Sequence, residues 1–278
     1  MPKHHWHVQH IETPAGKLFV RHREGAGLPL VMWPSVFYDH SLYQGMLEWL
    51  DNPAVLIDPP GHGNSRECPP SLDVDACARS VEDILRVLGL HEAVLVGTSW
   101  GGLVGVRLAR LERQGRVKGL VLANTPFHRG GRPAIATRLI VLMTRFMPEN
   151  PIFRRGVARS FFGPETAQRH PEVIRNFLDQ PGTFAHEDLL TAIRSVFLTR
   201  PSVRDDLARI AIPSLVLAGE ADRLYPPERM REDAARLPNH RFEVIPMAGH
   251  IAPAERPRET ALRIRDWLDA TFPAEQAA

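Results

Sequence analysis

The chain has 278 residues, 44% of them hydrophobic and 24% charged, which is ample to bury a large core in one domain with an insertion. Its 34 basic and 32 acidic residues nearly cancel, giving no reason to expect nucleic acid or a membrane surface as partner. Two cysteines, Cys68 and Cys77, are too few for a disulfide framework and fit no common zinc spacing, so both are expected as thiols. The first residues, Met1 to His7, lack the apolar core of a secretory signal, and no run is long and apolar enough to span a bilayer; a cytoplasmic location is the expectation.

Residues 6–12 and 17–23 read as a hairpin around Pro14-Ala15-Gly16, and Leu28 to Trp33 as a third strand. Ala54 to Asp58 then reads as a strand, Val74 to Leu88 as a helix, 93–97 as a strand, 100–113 as a helix and Val117 to Ala123 as a strand. Such alternation implies a parallel sheet. It breaks off until Ile212. Amphipathic runs over 134–147, 151–162, 165–179 and 186–199, punctuated by Pro148, Pro151, Gly163-Pro164 and Pro181-Gly182, predict short arginine-rich helices rather than one long exposed apolar helix. The expected organisation is a core of residues 1–124 and 206–278 with a helical cap over 125–205. A strand at 212–218, a helix at 226–237, a strand at 241–245 and a helix at 256–272 resume the alternation.

Gly97-Thr98-Ser99-Trp100-Gly101 places a serine between glycines where an apolar strand gives way to a helix. A sharp turn there holds the serine in a strained conformation, and flanking glycines remove the Cβ atoms that would collide. The strand pattern 215–222 ends in Asp222, and the strand pattern 242–250 ends in His250. Ser, Asp and His in that chain order fit three successive loops at one end of an α/β-hydrolase sheet.

These segments resemble the α/β-hydrolase superfamily over nearly the whole chain. Asp58-Pro59-Pro60-Gly61-His62-Gly63-Asn64-Ser65 is similar to the loop after that family's fourth strand, Gly219 to Pro226 to its acid loop and Ala248 to Pro257 to its histidine loop. The resemblance implies a mostly parallel eight-stranded sheet with flanking helices, Ser99 as nucleophile, His250 as base and then acid, and Asp222 as the group that orients the imidazole. In place of the family's usual His-Gly pair after the third strand stands Pro34-Ser35. The resemblance then makes the amides of Val36 and Trp100 the oxyanion donors, with Ser35 a further candidate; Pro34 has no N–H to offer. Ser35 with Val36 resembles the Asn-Ser variant of some enol-lactone hydrolases.

Trp33, Ser35, Phe37 and Phe127, with Trp100 and Phe146, are candidate substrate contacts, although aromatic side chains are more often ordinary core. His62 is expected to be structural. His4, His5, His7 and His10 alternate on an N-terminal strand without acids and read as solvated imidazoles, so no metal is assigned. Of the cap arginines Arg132, Arg138, Arg145, Arg154, Arg155 and Arg159, one or two are expected to face the cleft and the rest solvent.

The chemistry implied is acyl transfer to water, which needs no cofactor, on a small-molecule carboxylic ester or lactone. Serine rather than aspartate at position 99 argues against reactions through an enzyme alkyl ester. Carbon–carbon hydrolysis of ring-cleavage products, prolyl aminopeptidase activity and a non-enzymatic small-molecule receptor stay open as alternatives. The sequence leaves the oligomeric state open, a homodimer included.

Overall fold

The computed structural model describes residues 5–128, 134–146, 150–179 and 186–273. His4, Arg132, Pro148 and Pro181-Gly182, singled out in the sequence, lie outside the described residues. The strands are β1 (His7–Thr13), β2 (Gly16–Arg23), β3 (Leu30–Trp33), β4 (Ala54–Ile57), β5 (Ala93–Thr98), β6 (Val117–Ala123), β7 (Ser214–Gly219) and β8 (His240–Ile245). They form one sheet in the order β1-β2-β4-β3-β5-β6-β7-β8. Thr13 pairs with Gly16 across the β1–β2 turn, and β2 runs antiparallel to β4; from β4 to β8 every pairing is parallel. Side chains of β3, β4, β5 and β7 are buried on both faces, as a sheet covered by helices on each side requires.

The helices are α1 (Val74–Val87), α2 (Trp100–Leu111), α3 (Ala134–Phe146), α4 (Pro151–Phe161), α5 (Pro164–Arg169), α6 (Pro171–Asp179), α7 (His186–Arg194), α8 (Pro227–Ala234), α9 (Ala252–Glu255) and α10 (Pro257–Thr271). Asp73 caps α1 by accepting the Ala76 amide at 2.6 Å, and Asn150 caps α4 by accepting from Ile152 and Phe153. Arg107 of α2 reaches Asp75 of α1 at 2.5 Å and Asp206 at 2.7 Å, tying both helices to the segment that enters β7.

Several helix boundaries differ from the sequence expectation, and a residue held out of the helical region before proline accounts for two of them. The single helix expected over 165–179 is two, α5 and α6, because His170 before Pro171 is pushed out of the helical region to φ −131, ψ 51. Arg256 before Pro257 sits at φ −139, ψ 62, so the terminal helix begins at Pro257 and a separate turn, α9, precedes it. Pro226 before Pro227 is extended, and α8 ends at Ala234 rather than 237. The run expected at 186–199 is α7 followed by a π-helical turn, Ser195–Thr199.

Helices α3 to α7 all fall between β6 and β7. The C-terminal ends of β3, β5, β6, β7 and β8 meet at one edge of the sheet, and the chain leaves them as the segments bearing Ser35, Ser99, Asn124, Asp222 and His250. In open parallel sheets this edge is where ligands bind. The helices of the insertion are short, and α3 leaves Leu139, Leu142 and Phe146 exposed, with Ile152 of α4 also exposed. No helix among the described residues is long and apolar enough to cross a membrane.

Candidate active site

Ser99 joins β5 to α2 at φ 53, ψ −103, a conformation that L residues with side chains seldom adopt. Its amide donates to the Ala123 carbonyl of β6 at 2.8 Å, while its own carbonyl accepts from Gly102 and Leu103. The turn is tight enough to exclude side chains on either flank. A Cβ on Gly97 would lie 2.2 Å from the Gly101 backbone, and one on Gly101 would lie 1.8 Å from the Trp33 carbonyl oxygen. The glycines therefore let β3, β5 and the start of α2 touch, which lifts the serine to the sheet edge.

Ser99 Oγ lies 2.9 Å from His250 Nε2, and His250 Nδ1 lies 2.8 Å from Asp222 Oδ2. All three residues are buried. Burial alone would raise the Asp222 carboxyl, but the neighbouring His250, together with donors from Tyr225 and Asn124, brings it below the ordinary carboxylate range. An ionised Asp222 can only accept, so the Nδ1 proton points to it and Nε2 is left to accept from the Ser99 hydroxyl. Asp222 Oδ1 also takes the amides of Leu224 and Tyr225, at 2.9 and 3.0 Å. Asp58 is spoken for elsewhere, accepting from His40 and Asn64.

The loop after β3 carries the candidate oxyanion donor. Phe37 adopts φ 69, and its amide donates to His62 Nε2 at 3.0 Å, while Nδ1 of that ring donates to the Pro60 carbonyl at 2.9 Å. Both ring nitrogens are thus engaged. Burial pushes the His62 imidazole below its ordinary value, which keeps it neutral and able to accept. With the Phe37 amide occupied, the Val36 amide and, next to it, that of Ser35 are the loop's remaining candidates. The Trp100 amide opens α2, where the first N–H groups have no carbonyl a turn behind them. Gly63 packs against Asp58, a Cβ there falling 2.4 Å from Oδ2.

Trp33, Ser35, Phe37, Trp100 and Phe127 are all fully or nearly fully buried. The Trp33 and Trp100 rings meet edge-on at 5.7 Å, and Ser35 Oγ, Trp33 Nε1 and Trp100 Nε1 are buried without a protein hydrogen-bond partner. Phe37 stands 5.9 Å from Phe161, whose ring is 5.6 Å from His250. Phe127 is held through its carbonyl by Val203, and no described contact joins it to Ser99 or His250. His7 stacks on His22 at 5.2 Å and meets His5 edge-on, while His10 lies against Phe19.

Three residues were not identified from the sequence. Asn124 Nδ2 donates to both Asp222 Oδ2 and the Gly249 carbonyl, each at 3.1 Å. Phe161, at the end of α4, accepts the His250 amide through its carbonyl at 2.6 Å. Glu255 Oε2 accepts from the Gly163 amide and Thr166 Oγ1, each at 2.7 Å, while Oε1 accepts from the Gly249 and Ile251 amides at 2.9 and 3.2 Å. One buried carboxylate thus fastens the α4–α5 turn to both sides of His250.

The model of the alpha/beta hydrolase family matches residues 18–263. The chain belongs to this family. As an alpha/beta hydrolase it is an enzyme, and it is similar to a pimeloyl-[acyl-carrier protein] methyl ester esterase of Xanthomonas campestris pv. campestris, 29% identical over 187 residues, 66% of this chain and 72% of the relative. A thermophilic esterase from Thermogutta terrifontis superposes with a TM-score of 0.83 at 28% identity, covering 95% of this chain and 99% of that one. The enol-lactonase from Burkholderia xenovorans LB400 gives a TM-score of 0.82 at 23% identity over 94% and 99%, a likeness of fold.

Proposed function

We propose that this alpha/beta hydrolase cleaves a small-molecule carboxylic ester or lactone through an acyl-enzyme, with Ser99 as nucleophile, His250 as proton carrier and Asp222 as the anion that orients it. The carrying observation is the chain of contacts from Ser99 Oγ to His250 Nε2 and from Nδ1 to Asp222, 2.9 and 2.8 Å long. As Oγ attacks the carbonyl carbon, its proton passes to Nε2, and the imidazolium formed is stabilised by Asp222. The oxyanion is stabilised by the amides of Val36 and Trp100. Collapse breaks the bond to the leaving alkoxide, which takes the Nε2 proton; a water then gives its proton to Nε2 and its oxygen to the acyl carbon, releasing acid and free serine. In a lactone the two oxygens belong to one molecule, and the product is a hydroxy acid.

Similarity to two esterases, one of them a methyl ester esterase, supports the ester reading. The lactone reading rests on the Ser35-Val36 segment. Residues 125–205 act in this proposal as a cap, since Phe161 of α4 abuts His250. Trp33, Ser35 and Phe37 line the substrate side, and the unpartnered Ser35 hydroxyl supplies a polar contact for the alkoxy or acyl group.

The test is an acyl-chain series of aryl and methyl esters with small lactones alongside, together with labelling by a fluorophosphonate and peptide mapping. Short and medium chains should be turned over best, with label on Ser99. No turnover of any ester or lactone, or label elsewhere than Ser99, overturns the assignment; an optimum at long-chain glycerides with activation at an interface overturns the small-substrate part.

A further inference from the structure

A groove of about 420 Å³ lies between α4, α5, α6 and the turn that follows Asp222. Phe162 lines it, whereas Phe161, the residue before, does not. The helix ends at Phe161 and Phe162 is extended; both rings pack on Phe177, at 5.9 and 5.4 Å, but Phe161 also lies 5.6 Å from His250, while Phe162 lines the groove. No triad residue lines it.

Its chemistry is two-sided. Ala158, Phe162, Ile174 and Leu178 give it an apolar floor, and three arginines, Arg155, Arg159 and Arg223, stand around it. Arg155 and Arg159 are one turn apart on the same face of α4, where like charges repel. Among the described residues no acidic side chain lines the groove and no ion pair involves these three arginines; the neighbouring Glu165 is engaged by Arg169 at 3.0 Å. Guanidinium groups gathered beside a hydrocarbon surface, with no ion-pair partner among the described residues, suit a ligand that brings both an anion and a chain.

We propose that this groove is a second binding site, distinct from the catalytic cleft, for an amphiphilic anion: a carboxylate or phosphate head held by Arg155, Arg159 and Arg223, with a short hydrocarbon chain laid on Phe162, Ile174 and Leu178. The assignment does not depend on the ester-hydrolase reading, because it uses none of the residues of the triad. The Gly163 edge of the groove is the one that Glu255 fastens to the His250 loop, so an occupant sits against the outer wall of the active site.

The experiment is calorimetric titration of the full chain at low salt with octanoate, octyl phosphate and octan-1-ol. A photoreactive octanoate carrying a diazirine at its chain end, mapped by peptide sequencing, gives the location. Either or both anions should bind about tenfold or more tightly than the alcohol, the tighter one naming the head group. The Arg155→Gln/Arg159→Gln variant, its fold checked by circular dichroism, should lose about tenfold in anion affinity while its weak affinity for the alcohol is kept. Ile174→Ser should weaken all three ligands, and the label should fall on α4 or α6. Equal affinity for octanoate, octyl phosphate and octan-1-ol, unchanged anion affinity in the arginine variant, or label confined to peptides bearing Ser99 or His250 would each overturn the proposal.

Discussion

At Ser99 the backbone holds the hydroxyl in place before any substrate arrives, so removing the oxygen should remove chemistry without removing the turn. Ser99→Ala is expected to lower kcat by about four orders of magnitude with the circular dichroism spectrum unchanged; activity within tenfold of the parent would place the nucleophile elsewhere. Asp222→Asn should cost about three to four orders of magnitude in kcat with KM little altered, since an amide neither fixes the Nδ1 proton nor stabilises the imidazolium. His62 predicts a pH effect on stability. Its folded value is depressed by burial, whereas in the unfolded chain it titrates near about 6.5. As pH falls below that value the unfolded chain takes up a proton that the folded chain refuses, so stability present at neutral pH is lost progressively toward the folded value. His62→Gln keeps a hydrogen-bonding side chain and abolishes the titration. Urea midpoints should therefore fall more steeply on acidification for the parent than for the variant, and parallel curves would show that His62 does not carry the effect.

Among the elements, the Glu255 carboxylate joins the turn between α4 and α5 to the loop that bears His250. Glu255→Ala leaves the Gly163, Gly249 and Ile251 amides and the Thr166 hydroxyl without their acceptor, which should cost about 2–5 kcal/mol by urea denaturation. A change below about 0.5 kcal/mol would mean that water replaces the carboxylate at no loss. The positions of Ser99, Asp222 and His250 were legible in the sequence because each is marked locally, by a strand that ends and by glycines or an acid at its tip. Asn124 and Glu255 were not, because what they do is visible only across the fold: Asn124 meets Asp222 from 98 positions away, and Glu255 meets Gly163 from 92. The break at His170 had a signal in Pro171, whose ring disfavours a helical residue before it. The exposed Leu139, Leu142 and Phe146 had none, since an amphipathic pattern says which residues share a face but not whether a neighbour covers it.

For the molecule as a whole, the order of the sheet sets where it is weakest. Among the described residues β8 is an edge strand paired only with β7, and most of its side chains are at least partly exposed, yet the loop that follows it carries His250. Local opening of an edge strand takes less free energy than global unfolding. Activity should therefore be lost at a lower urea concentration than the far-ultraviolet dichroism of the chain; coincident transitions would show that β8 opens only with the rest.

The same arrangement orders events in time. Ser99 and His250, its proposed base, are 151 positions apart, so as the polypeptide is synthesised the serine and its turn are made long before the imidazole that meets them. Until β8 docks on β7, a nascent chain holds an inert alcohol. On the proposed assignment Ser99 meets its proton acceptor only when the sheet's last edge closes, so hydrolytic activity is a late product of folding.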